Sequence, residues 1–235
     1  MTPGLPAPGP PAWPAPPAQL SLDDGELDVW LAALDGVPAH IGRRLSREEL
    51  ARAQAFASPR DGRLWASAHG LLRTLLGAYL MRDPLSFSFS ATPHGKPILA
   101  AAQQVHFNLS HSGDLALFAF TRVGEVGVDV EVTREGLDVL GVAARMLGQA
   151  RRDELAALDP PLREREFLRS WTRHEATLKC RGTGIGAAAA DEGAHAGQEW
   201  VAELDAGPLA AAAVALAREP RELRRWAWPG ALSQG

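Results

Sequence analysis

In the run VGVDVEV (126–132), two carboxylates alternate with valines. Successive side chains of a strand point to opposite faces, so Asp129 and Glu131 share one face while Val128, Val130 and Val132 turn toward a core. Two acids this close repel each other and are costly to desolvate unless a cation or hydrogen bonds keep them ionised. A hard divalent ion is one such cation, since Mg2+ typically takes one or two carboxylates together with phosphate oxygens and water. The other reading is an edge strand whose acidic face lies in solvent. Further along, WTRHEATLK (171–179) spaces Trp171, Glu175 and Lys179 at i, i+4 and i+8, a single helical stripe that adds a third acid and a cation one turn apart.

Two turns carry further chemistry. NLSHSG (108–113) offers a hydroxyl, an imidazole and small residues whose backbone amides can approach an anion. PHGKP (93–97) holds Lys96 in a stiff Gly/Pro turn suited to presenting an ammonium to phosphate. Each turn alone signals only a turn; taken with the acids, they supply groups for a metal and for phosphates. Ser110 and His111 do not read as a nucleophile–base pair, because neighbours in a strand face opposite ways, and no G-x-S-x-G elbow surrounds them. Cys180 has no His/Asp pattern beside it and reads as an inert helix-end residue. The other histidines, His40, His69, His94, His106 and His195, lack metal-ligand spacing, and Trp171 reads as packing.

The positioning elements follow from periodicity. LDVWLAAL (27–34) is a strand; SREELARAQAFA (46–57) is a helix whose Ser46 and Glu49 form a capping box. A second helix runs from about Asp61 to Met81, with Leu64, Trp65, Ala68, Leu71, Leu72, Leu75, Leu76 and Tyr79 on its core face. Alternation predicts strands at LSFSFS (85–90) and VHFNLS (105–110), the latter paired with LALFAF (115–120) through the turn HSGD, and a further strand at 126–132. An irregular helical region (137–158) ends at Asp159, a potential cap, with Pro160 at a first helical position. A long helix over 161–180 and strands at 198–204 and 211–217 complete the chain. The two parts repeat this plan loosely.

Composition narrows the function classes. The chain has 235 residues, 46% hydrophobic, with a formal net charge of −4, so no global basic field points to nucleic acid or an anionic membrane. One cysteine excludes an intrachain disulfide framework. No apolar run reaches membrane-spanning length and no signal peptide is evident, which gives the expectation of a cytoplasmic protein.

The ordered set FNLSHSGDLALFAF, GVDVE and WTRHEATLKCRGTGIG resembles the Sfp-type 4′-phosphopantetheinyl transferases, as do the GKP turn and the helix GLLRTLLGAYL. The resemblance spans roughly residues 27–217. It implies an α+β pseudo-dimer of two similar α/β halves with the active site in the cleft between them. The expected organisation is a disordered Pro-rich segment (1–20), a coenzyme A-binding half (21–122), a half with the magnesium site and catalytic helix (123–231) and a tail (232–235). The implied reaction moves the 4′-phosphopantetheine arm of coenzyme A to a serine of an apo acyl, polyketide or peptidyl carrier protein, releasing 3′,5′-ADP. By matching position, Asp129, Glu131 and Glu175 are the implied Mg2+ ligands, and Lys179 is the implied catalytic partner near the pyrophosphate. Arg60, Gly95, Lys96, Ser110, His111 and His174 are the implied coenzyme contacts. Glu175, directly or through a metal-bound water, is the candidate base. His174 departs from the family's usual Lys or Arg, which leaves that phosphate contact dependent on protonation. A monomer is expected. The rival readings are a Mg2+-dependent nucleotide phosphoanhydride hydrolase and a non-catalytic module that binds coenzyme A or a carrier protein.

Overall fold

A computed structural model describes residues 13–99, 105–134, 136–183 and 199–229. Its strands are β1 (Glu26–Ala33), β2 (Phe89–Ala91), β3 (Pro97–Leu99), β4 (His106–Ser112), β5 (Leu115–Thr121), β6 (Val126–Val132), β7 (Trp200–Leu204), β8 (Ala210–Leu216) and β9 (Glu222–Ala227). Five helices join them: α1 (Arg47–Gln54), α2 (Pro59–Leu80), α3 (Val139–Met146), α4 (Gln149–Ala156) and α5 (Pro160–Arg181). The architecture is α+β, a pseudo-dimer of two α/β halves. Each half lays one 22-residue helix on a largely antiparallel sheet, α2 in the first and α5 in the second.

The sheets run in the orders β4-β5-β1-β9 and β6-β8-β7, with a small β2-β3 ladder apart. Strand alternation lets the larger sheet bury both faces. Trp30, Ala32, Phe118 and Phe120 pack under Leu64, Leu71, Leu72, Leu75 and Leu76 of α2. Leu27, Val29, Leu31, Leu117 and Ala119 meet Val126, Val128, Val130, Val214 and Leu216 of the smaller sheet. That sheet turns Ala213 and Ala215 toward Ala176 and Cys180 of α5. The layers therefore stack as helix, sheet, sheet, helix, and the valine face of β6 lies in the central layer. Its other face, with Asp129, turns to α5.

Several elements differ from the sequence-based expectation. The run 85–90 is not one strand: Pro84–Ser86 is a 3-10 turn, held by the Leu85 amide donating to Asp83 Oδ1 at 2.7 Å, and only Phe89–Ala91 pairs. Helix α2 starts at Pro59 itself, with Ser58 capping the Asp61 amide, because proline at a first helical position loses no intrahelical bond. The irregular region resolves into α3 and α4, broken at Gly148, whose φ of 85° favours glycine. Asp159 precedes α5 without a side-chain cap bond. Strand β9, too charged to show alternation, pairs in parallel with β1 in the first half's sheet. There the Arg224 guanidinium reaches Asp28 Oδ1 at 2.6 Å and Glu26 Oε2 at 2.9 Å.

Of the segment read as disordered, residues 1–12 lie outside the described residues, as do the end of the GTGIG motif and the 232–235 tail. At Trp13 the lead is anchored: its indole is buried and donates to the Asp205 carbonyl at 2.7 Å, and the Ala227 amide donates to the Pro14 carbonyl at 2.9 Å, while Ala15 and residues 17–19 are exposed. Among the described residues, no helix is long and apolar enough to cross a membrane.

One close approach sets the distance between α5 and β6. A Cβ built on Gly127 would collide with the Ala176 carbonyl and the Cys180 amide of α5. Both are backbone atoms, so the helix would have to lift off the strand. Gly127→Ala is expected to destabilise the protein by about 1–3 kcal/mol, lowering Tm by about 2–12 °C in a thermal scan. An unchanged Tm would contradict this packing.

Candidate active site

The seam between the halves is made by β4 and β6, each at the edge of its own sheet. They share no backbone ladder. Side chains of β4 stitch them together: Asn108 Oδ1 accepts the Val128 amide at 2.9 Å, the Ser110 hydroxyl donates to Asp129 Oδ1 at 2.9 Å, and the Ser112 hydroxyl donates to Glu131 Oε2 at 2.6 Å. The Val132 amide also donates to Ser112 Oγ, at 3.3 Å. Alternation in β4 is what aims residues 108, 110 and 112 at one partner strand.

Helix α5 closes the site from the other side. Its Lys179 ammonium donates to Asp129 Oδ1 at 2.6 Å and to Ser110 Oγ at 3.0 Å, so Asp129, Ser110 and Lys179 form a triangle across three elements. Arg134 donates to Glu131 Oε2 at 3.2 Å and to Ser112 Oγ at 3.0 Å. Glu175 is buried on α5, one turn before Lys179. Among the described residues, two buried carboxylate oxygens have no protein partner, Asp129 Oδ2 and Glu175 Oε1.

The acids carry the imprint of this burial. Desolvation pushes the Glu175 carboxyl up to about 6, helped by the negative charge of Asp129 and opposed by Lys179. Burial also raises Asp129, against the pull of Lys179 and the Ser110 hydroxyl, and raises Glu131 against its bond from Ser112. Among the described residues, no three His, Cys, Asp or Glu side chains already form a metal-binding cluster. A hard divalent ion does not need one. Mg2+ usually takes one or two carboxylates and fills the remaining positions with phosphate oxygens and water. The two unpartnered oxygens fit that demand, because an unpaired buried carboxylate oxygen is otherwise a standing cost of about 1–3 kcal/mol.

A cleft of about 520 Å³ opens beside the triangle; Ser110, His111 and Lys179 line it together with Trp65, Leu72, Phe89, Gly95 and Pro97, among others. The sequence-predicted residues separate on this geometry. Asp129, Glu131, Glu175, Lys179 and Ser110 come together at the seam. His111 lines the cleft, and Gly95, at φ 86°, forms part of its wall. Lys96 does not line the cleft: its ammonium donates to Glu125 Oε2 at 2.7 Å and to the Val126 carbonyl at 3.0 Å. Arg60 sits in the first turn of α2, in a surface ion pair with Asp35 at 3.0 Å. His174 is half-buried on α5, its ring 6.3 Å from that of Trp171, and does not line the cleft either. Trp171 packs on Phe167, as read from the sequence.

Sequence reasoning missed Asn108, Ser112 and Arg134 as partners of β6, and Arg52 and His69 as cleft residues. Alternation of 108, 110 and 112 was a visible signal for the first two. The i, i+4 spacing of Trp65 and His69 on α2 was another: their rings stack at 3.8 Å, and the Arg52 guanidinium lies 5.2 Å from the indole.

Comparisons with known proteins match both halves of the chain. The family model described as the 4′-phosphopantetheinyl transferase superfamily matches residues 125–205, and that described as 4′-phosphopantetheinyl transferase, N-terminal, matches residues 37–122. The chain is similar to the 4′-phosphopantetheinyl transferase HetI of Nostoc sp., 35% identical over 179 residues, or 74% of this chain and 76% of the relative. It is also similar to the 4′-phosphopantetheinyl transferase Sfp of Bacillus subtilis, 30% identical over 158 residues, or 62% of this chain and 69% of that one. The 4′-phosphopantetheinyl transferase AcpT of Escherichia coli is 35% identical over 131 residues, or 56% of this chain and 63% of that one.

The cleft wall should respond to acid. Burial, with His111, Arg52 and Arg73 nearby, holds the His69 imidazole down at about 3, far below its ordinary 6.5. A lowered folded value means the neutral ring stabilises the fold above pH 6.5, and that contribution is lost as pH falls toward 3. Between pH 7 and 5.5, the Tm of the wild type should fall more steeply than that of His69→Phe. Parallel slopes would contradict the burial of a neutral ring.

Proposed function

The chain belongs to the 4′-phosphopantetheinyl transferase superfamily, and from that premise we propose that the β4–β6–α5 seam is where its transfer takes place. The protein is an enzyme that moves phosphopantetheine onto carrier proteins. Coenzyme A is the donor substrate of this family, and the acceptor is the serine hydroxyl of an apo acyl, polyketide or peptidyl carrier domain. One chain supplies both halves of the site, so it acts as a monomer. The observation that carries the assignment of residues is the pair of unpartnered buried oxygens, Asp129 Oδ2 and Glu175 Oε1, near the ammonium of Lys179, which lines the cleft.

In this reading the cleft holds coenzyme A with its pyrophosphate at the Lys179 end. Asp129, Glu131 and Glu175 would hold a Mg2+ ion, which when bound supplies positive charge to the pyrophosphate. The serine oxygen attacks the β-phosphorus; a new O–P bond forms, the bridging bond to the α-phosphate breaks, and its electron pair leaves with 3′,5′-ADP. Lys179 neutralises charge on the phosphate oxygens as the bond breaks. The serine proton passes to a Glu175 oxygen. Ser110 and Ser112 keep Asp129 and Glu131 pointed into the seam. His111, the neighbour of Ser110 on β4, also lines the cleft and is available to the coenzyme.

Mixing the protein with coenzyme A, Mg2+ and an apo carrier domain, then weighing the carrier, tests this directly. The expected result is a gain of one phosphopantetheine mass. Release of 3′,5′-ADP without an adduct would indicate a hydrolase, and no turnover a binding module; either overturns the proposal. Asp129→Asn should lower transfer by at least about 100-fold while the protein stays folded. Near-wild-type transfer in that variant would remove Asp129 from the site.

A further inference from the structure

Lys96 stands where the family resemblance expects a coenzyme-binding cation, yet its ammonium is already committed. The side chain is only 7% exposed and donates both to the Glu125 carboxylate and to the Val126 carbonyl, the first residue of β6. Glu125 is gripped from a second side by His106, whose Nδ1 donates to Oε1 at 3.0 Å. These bonds, from His106 first, hold the Glu125 carboxyl down at about 2. The Glu125 backbone is held as well: its carbonyl accepts from Cys180 Sγ at 3.2 Å, at the end of α5. Two residues on, Gly127 lies against α5 with no room for a side chain. The β2–β3 turn, β4 and α5 thus converge on the first residues of the strand that carries Asp129 and Glu131.

An ammonium this buried must keep its partners, because desolvating it without them is unfavourable. The carbonyl it holds is on β6's outer edge, which otherwise has no backbone partner strand. Asn108, Ser110 and Ser112 continue the same stitching further along.

We propose that Lys96 is a positioning residue: with Glu125 it pins the start of β6 and so sets where Asp129 and Glu131 stand relative to Glu175, and it does not bind a phosphate of coenzyme A. Its catalytic consequences rest on the transferase reading; the structural clasp does not. The two roles differ in what a variant changes. Loss of a phosphate ligand weakens coenzyme binding, whereas loss of a pin displaces reacting groups, and a displacement of about 1 Å can cost about 100-fold in rate.

The test compares Lys96→Met, Glu125→Gln and the double variant by steady-state kinetics with coenzyme A and with 3′-dephospho-coenzyme A, alongside hydrogen exchange of residues 126–132. Each single variant should lower kcat by about 10-fold or more. The KM for coenzyme A should stay within about 2-fold, since ground-state binding is untouched. The double variant should be no worse than the weaker single, as expected for two halves of one interaction. Preference for coenzyme A over its dephospho form should persist, and exchange over β6 should quicken in both singles. A raised KM with lost preference in Lys96→Met, beside full activity in Glu125→Gln, would put Lys96 on a phosphate and overturn the proposal. Should Lys96→Met fail to fold, the near-isosteric Glu125→Gln carries the same comparison. If the wild type transfers nothing, the transferase reading fails; quickened β6 exchange in the variants then supports the clasp, and unchanged exchange refutes it.

Discussion

The seam between β4 and β6 uses side chains where a continuous sheet would use its backbone, and the rest of the site depends on that choice. Both strands are edges, and an edge leaves a row of amides and carbonyls open. Asn108 takes up the Val128 amide, Ser112 the Val132 amide and Lys96 the Val126 carbonyl, so the outer edge of β6 is satisfied without a ladder. Because side chains do this work, the hydroxyls of Ser110 and Ser112 reach the Asp129 and Glu131 carboxylates on the face of β6 turned to α5. A full ladder at this point would instead close the halves into one continuous sheet.

Electrostatics then follow from packing. Asp129 is brought into a nearly dry position by the valine face of β6, whose Val128 and Val130 are fully buried beneath the larger sheet. Its Oδ1 is balanced by Lys179 and Ser110; its Oδ2 is not. Glu175 is in the same condition, and its raised carboxyl records both its own burial and the negative charge of its neighbour. Strain of this kind is tolerable only where the surroundings are firm. Here they are firm because Gly127 lets α5 lie directly on the strand, fixing Glu175 and Lys179 to the same frame as Asp129. The second half's core and its reactive face are two sides of one strand.

Much of this was legible in the residues. Period-2 alternation in VGVDVEV separated acids from valines, the helical period put Glu175 and Lys179 on one stripe, and Ser46 with Glu49 formed the capping box expected of them. What the residues did not reveal was long-range. Strand β9 is not assigned from the sequence because Glu222, Arg224 and Arg225 leave it no alternation, and its pairing with β1 joins segments from opposite ends of the chain. The run 85–90 alternates well, but the tight 3-10 turn at Pro84 keeps its first half out of any sheet. Lys96 sits in a stiff turn that suits phosphate equally well; only the approach of Glu125 and Val126 from the other half determines what its ammonium meets. Arg60 likewise resolves into a surface pair whose partner, Asp35, no spacing rule would connect to it.

The account's central claim is that the two unpartnered oxygens of Asp129 and Glu175 belong to one site facing the pyrophosphate end of the cleft. Anomalous diffraction from crystals grown with Mn2+ and coenzyme A measures this most directly. The account predicts a metal peak at coordination distance from Asp129 and Glu175, next to the pyrophosphate and Lys179. A coenzyme bound elsewhere, or a metal peak remote from these carboxylates in crystals of active enzyme, would contradict it.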